Sequence, residues 1–213
     1  MNDIIFKGKK NPKIESISDD EVLKFYLGKD DLSDPDTFEN FVKSCEDMVR
    51  KDERYTNYIA FLKECGFDKD AFQSEIDNKK FPDVKIEMHH GPMFNLYDIC
   101  AIVIDHILNS GDKVCTFDVA DKVLTEHEQH NIQLIPLTKT NHQLCHDGKI
   151  FTHINQTTGG DITKFIKNYK RGLRREHLYT LEEYIKLCKK HDATDNDYLC
   201  VKKVLKKIEK VSD

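Results

Sequence analysis

Lys85–His90 reads KIEMHH and Gln133–His146 reads QLIPLTKTNHQLCH; these two stretches decide the fold. VKIEMHH reads as a strand ending in two adjacent histidines. A strand sends successive side chains to opposite faces, so His89 and His90 suit two separate tasks. IQLIPL is a second, short strand. TKTNHQLCHDG gives one or two helical turns closed by Gly148. On that helix His142 and His146, four apart, share one face about a turn apart. Two histidines at this spacing also occur on ordinary surfaces and in satisfied cores. The third histidine, on a strand end, turns the reading towards a metal. Three imidazoles with an open position fit a catalytic rather than a structural site.

Around this unit the chain reads as helical. DPDTFENFVKSCEDMVR offers Asp34 as N-cap, Pro35 in the first turn, and Phe41, Val42, Cys45, Met48 and Val49 on one face. RYTNYIAFLKECG is a second amphipathic helix stopped by Gly66, and DAFQSEI a short third. NLYDICAIVIDHILNSGD is apolar enough to be the core helix. TFDVADKVLTEHEQH follows, with Thr116 as its cap. KIFTHI reads as a third strand before the NQTTGG turn. TLEE, with Thr180 and Glu183, forms a capping box, and VKKVLKKIEK an amphipathic terminal helix. Residues 1–17 look loose. The expected class is α+β, mostly helical, with a small strand–strand–helix unit carrying the three histidines at the centre. The chain divides into an acidic helical region (1–83), a central unit (84–160) with a helical insertion (94–129), and basic C-terminal helices (161–213).

Composition narrows the function classes. There is no run of eighteen apolar residues, so no membrane span is expected. The start, MNDIIFKGKK, has no apolar signal core, and the expected location is intracellular, in the cytoplasm. Seven cysteines without a C-x-x-C pair read as reduced thiols rather than a zinc site. The net charge of −5 argues against a general nucleic-acid coat. Residues 163–213, however, hold 14 Lys+Arg against 8 Asp+Glu, so the basic excess sits in the last quarter. There Lys164, Lys167, Lys170, Arg171, Arg174 and Arg175 surround Tyr169. They form either a solvated helix face or a phosphate track.

EMHH followed by QLIPLTKTNHQLCH resembles the HNH endonucleases of the ββα-metal (His-Me finger) group, nearest to the colicin-type Glu-x-His-His … His-x-x-x-His form. The resemblance covers roughly residues 85–150. It implies His89 as the first ligand of one divalent metal ion (Mg, Mn, Zn or Ni), His142 and His146 as the others, and His90 as the general base. The family asparagine, which holds the loop of the base histidine, falls on Gln133; Asn131 lies close by. The two cysteines of the family's zinc knuckle fall on Thr138 and Asn141, so that knuckle is absent. The split between His89 and His90 makes chemical sense. Phosphodiester hydrolysis needs a cation for the developing charge and a free base for the water. An imidazole with an unperturbed pKa near 6.5 suits the second task.

The reading is a metal-dependent HNH endonuclease acting on DNA, with RNA the other polyanion in reach, and Lys167, Lys170, Arg171, Arg174 and Arg175 on the backbone. The alternatives are an inactive HNH-like nucleic-acid- or protein-binding module and a metal-stabilised structural subunit of a larger assembly. The acidic N-terminal helices serve as a protein-partner surface or as scaffold. His106, His127, His130 and His153 lack motif spacing and read as surface or core residues. The family is common in phages and mobile elements, so the resemblance implies that context, including a phage-infected host.

Overall fold

A computed structural model of the chain describes residues 25–76, 80–191 and 195–212. The loose stretch expected at 1–17 lies outside them. The architecture is α+β and mostly helical, with one two-stranded antiparallel sheet. In chain order the elements are α1 (Pro35–Lys51), α2 (Glu53–Glu64), β1 (Ile86–His90), α3 (Leu96–Leu108), α4 (Thr116–Glu128), β2 (Leu134–Thr138), α5 (Lys139–His146), α6 (Ile162–Asn168), α7 (Arg175–Lys190) and α8 (Asp195–Ser212). Short 3₁₀ turns occupy Ile154–Gln156 and Lys170–Gly172.

α3 is the centre of the core. Nine of its thirteen residues are buried, from Leu96 to Leu108. A helix that is apolar on most of its faces needs partners on all of them. It packs against α1, α4 and the 170–172 turn. The turn is close enough that a Cβ on Gly172 would meet the Ile102 carbonyl oxygen at 1.8 Å, so only glycine fits there. A capping box between Asn95 and Asp98 fixes the start of α3. One buried cluster draws on α1, α3, α4, α6, α7 and α8, so the acidic, central and basic regions share a core.

Several boundaries follow the expected signals. Asp34 caps α1 by accepting from the Thr37 amide, with Pro35 in the first turn. Gly66 (φ 101°) and Gly148 (φ 65°) take the left-handed conformation after α2 and α5. β1 and β2 pair in a register that sets His89 opposite Ile135 and His90 opposite Leu134.

Four local expectations are corrected. DAFQSEI is not a helix. The Asp70 carboxylate accepts from the amides of Phe72 and Gln73 as a cap would, but the backbone bonds go elsewhere: the Ala71 amide donates to the Pro136 carbonyl on β2, the Asp70 amide to the Ile76 carbonyl, and the Ile76 amide to the Gln73 carbonyl, closing a turn. KIFTHI forms no strand. The free edge of β2 is already used, since the Leu134 carbonyl accepts from the Thr158 amide and the Pro136 carbonyl from the Ala71 amide. TLEE does not begin a helix: Thr180 lies inside α7, its hydroxyl bonded back to the Glu176 carbonyl. Thr116 is the first residue of α4, and Cys115 precedes it at the cap position without a side-chain bond.

Candidate metal centre

Strand alternation sorts the residues of β1. Ile86, Met88 and His90 face one way; Glu87 and His89 face the other. Met88 packs on the cluster of Tyr58, Leu62 and Leu134, and His90 is buried beside it with 5% of its surface exposed. Glu87 and His89 meet α5 across the hairpin.

On that face three imidazoles converge. The ring centroids of His89, His142 and His146 are 4.7–5.0 Å apart. Their candidate ligand nitrogens all lie within 4.8 Å of one another. His142 Nε2 and His146 Nε2 are 3.1 Å apart, close to the roughly 3.3 Å edge of a tetrahedron with bonds of about 2.0–2.1 Å. Glu87 Oε2 lies 2.6 Å from His142 Nδ1. The carboxylate accepts the Nδ1 proton and so leaves Nε2 as the nitrogen for a metal, the arrangement that orients ligating histidines. Burial, followed by the charges of His142 and His146, pushes His89 down to about 4, so it is neutral and ligand-competent at neutral pH. Gly91 lets the ring of His89 lie close to the backbone: a Cβ there would stand 3.2 Å from His89 Cδ2. The residues present therefore fit one divalent ion, and imidazole donors favour Zn or Ni over Mg.

The helix that carries two of the histidines is anchored by Asp70, 1% exposed. Its Oδ2 accepts from the Thr138 amide at 2.6 Å, and both of its oxygens accept from Asn141 Nδ2 at 3.0 Å. Thr138 itself caps α5 through the Asn141 amide.

His90 points elsewhere. Its Nε2 is 3.0 Å from His127 Nε2, and His127 Nδ1 is 2.7 Å from the Val123 carbonyl oxygen. Tyr55 stacks on the His90 ring and meets His127 edge-on. Burial drives His127 down to about 4 and His90 well below its ordinary range, His127 adding to the effect on His90. His90 nevertheless lines a groove of about 250 Å³ shared with His89, His142 and His146, whose wall includes Arg50 and Tyr97.

A family model described as "Bacteriophage G278-like virion protein" matches residues 1–213, the whole of the chain. The chain belongs to that family. No curated protein and no solved structure matches it. The family description names a particle component and carries no nuclease assignment, so the HNH resemblance stands as a proposal.

In this G278-like virion protein His89, His142 and His146 come together, with His90 next to them on the opposite face of β1. Gln133 immediately precedes Leu134, the β2 partner of His90, but does not hold the His90 loop. Its Nε2 donates to the Gly160 carbonyl, and its buried Oε1 has no partner among the described residues. Asn131 does not replace it, because its amide goes to Glu126 and Gln129. The basic segment docks on the C-terminal half of α3. Arg174 pairs with Asp105 and lies 4.1 Å over the Phe38 ring, and Arg171 reaches Ser110. Lys167, Lys170, Arg171, Arg174 and Arg175 are exposed, and none of the five lines the groove. Its cation is Arg50, which sequence reasoning missed, as it missed the roles of Asp70 and His127. One signal for His127 existed: it continues the buried Val119, Val123 spacing along α4.

Proposed function

We propose that this phage virion protein is a metal-dependent nuclease of the HNH type that hydrolyses DNA phosphodiester bonds. The observation that carries the reading is the convergence of His89, His142 and His146 on one side of a β-β-α unit, with the non-ligand His90 open to the same groove. The divalent ion, when bound by the three histidines, supplies Lewis-acid stabilisation of the charge that develops on the phosphoryl and leaving oxygens. His90 takes a proton from the attacking water as its oxygen bonds to phosphorus and the P–O bond to the leaving sugar oxygen breaks. The leaving oxygen takes a proton from solvent. Arg50, half-exposed at the groove wall and ion-paired there with Glu46 at 2.7 Å, would exchange that carboxylate for the scissile phosphate.

A second reading, a metal-stabilised structural subunit of the particle, draws on the family's description as a virion protein. Plasmid DNA incubated with the purified protein and Mg²⁺, Mn²⁺, Zn²⁺ or Ni²⁺ separates the two. Nicking by wild type that is lost in His90→Ala supports the nuclease. Metal binding with no nicking under any of the four ions favours the structural subunit.

A further inference from the structure

We infer that His127 is a positioning residue for His90, fixing the tautomer in which His90 carries its proton on Nε2 and keeps Nδ1 as its one basic nitrogen. The catalytic use of that nitrogen rests on the nuclease reading above; the tautomer itself rests on geometry.

The assignment runs along one chain of atoms. The Val123 carbonyl can only accept, so His127 Nδ1, 2.7 Å away, must donate and carries a hydrogen. The only hydrogen of a neutral His127 is then spent, and its Nε2 is a lone pair. His90 Nε2 lies 3.0 Å from that lone pair and must donate to it. The neutral His90 ring is left with Nδ1 bare. His127 is entirely buried, so its Nδ1 and Nε2 have no water to turn to for a different partner. Tyr55 flanks both rings, parallel to His90 and perpendicular to His127, and Tyr58 meets His127 edge-on, which fixes their planes.

The consequence is directional. Without His127, a histidine at position 90 would divide between two tautomers, and the fraction protonated on Nδ1 could not accept from a water in the groove. With His127, every molecule presents the same basic atom. This is the service that a carboxylate or a carbonyl gives to catalytic histidines elsewhere, supplied here by a second imidazole.

The test uses the full-length protein labelled with ¹⁵N-histidine, with and without Zn²⁺. Long-range ¹H–¹⁵N correlation spectra report which ring nitrogen of His90 is protonated. The expected wild-type signature is Nε2–H on His90 and Nδ1–H on His127. His127→Phe keeps a ring but removes the acceptor; His90 should then populate Nδ1–H. In the plasmid assay kcat should fall on the order of 10²-fold while KM and metal affinity hold. His127→Gln retains an acceptor oxygen and should restore both the Nε2–H signature and most of the turnover. A wild-type His90 protonated on Nδ1 overturns the inference without recourse to any variant, as does a His127→Phe protein whose His90 is still Nε2–H. A wild type with the expected signature but no cleavage sinks the nuclease reading and leaves the hydrogen-bond assignment standing.

Discussion

Glu87 Oε2 lies 2.6 Å from His142 Nδ1, tying the second residue of β1 to the middle of α5 across the face where three imidazoles meet. The two side chains sit 55 positions apart, and the bond aims His142 Nε2 at the common point. Glu87→Gln keeps the shape but weakens the acceptor. Zn²⁺ affinity measured by competition with a chelating dye should drop by about 10- to 100-fold, the usual worth of a carboxylate behind a ligating histidine. An unchanged affinity would mean that the bond does nothing for the metal.

The adjacent histidines should separate in two assays. His90→Ala should leave metal affinity near wild type and cut turnover by about 10²–10⁴. His89→Ala should lower metal affinity, with part of the activity returning at high metal because two ligands remain. Calorimetric titration with Mn²⁺ or Zn²⁺ beside a nicking assay reads both. Equal loss of metal in the two variants would make both histidines ligands and remove the base.

This division was legible in the sequence because alternation along a five-residue strand needs no long-range information. The His142–His146 pair was legible for the same reason, from helical spacing alone. The rest of the site comes from afar: Arg50 from α1, Asp70 from the turn after α2, His127 from the end of α4. No local period marks such residues. DAFQSEI misleads because its pattern is helical while Asp70, its first residue, spends its carboxylate on four donors, two of them at the start of α5. Nor did the basic run show that Arg174 and Arg171 bond to α3 and the residues just after it.

Asp70 gives a prediction of its own. Asp70→Ala leaves the Thr138 amide and Asn141 Nδ2 without this acceptor at the start of α5. A cost of about 3 kcal/mol, as a buried charged hydrogen-bonding group commands, should appear in urea unfolding. Metal affinity should fall with it, because the helix that carries His142 and His146 loses its anchor.

Burial of neutral His127 should make the protein acid-sensitive. Its folded pKa, about 4, is below the ordinary 6.5, so between these values the unfolded chain binds the extra proton. The stabilisation is therefore complete above pH 6.5 and lost as pH falls towards 4. It amounts to about 3 kcal/mol, at about 1.4 kcal/mol per pH unit. The metal-free melting temperature of wild type should fall across that window more steeply than that of His127→Phe. Parallel curves would contradict the assignment.

DNA contact should follow the groove rather than the basic run. Arg50→Ala should weaken DNA binding and reduce the salt slope by about one phosphate contact. Arg174→Ala should leave the salt slope alone and cost about 1 kcal/mol of stability through Asp105 and Phe38. The opposite pattern in a salt titration would return the phosphate track to residues 167–175.

β1 and β2 are neighbours in space, but residues 91–133, including the whole of α3 and α4, separate them in sequence. A zinc finger is a short loop that collapses when its ion is withdrawn, because the ion is most of its folding energy. Here the two strands are joined through the core helices α3 and α4, and Leu134, Ile135 and Leu137 of β2 are fully buried in apolar contacts. Chelation should therefore empty the centre and leave the circular dichroism and most of the melting temperature in place. On the proposed reading the three histidines are preassembled, and the ion would come and go as a reagent.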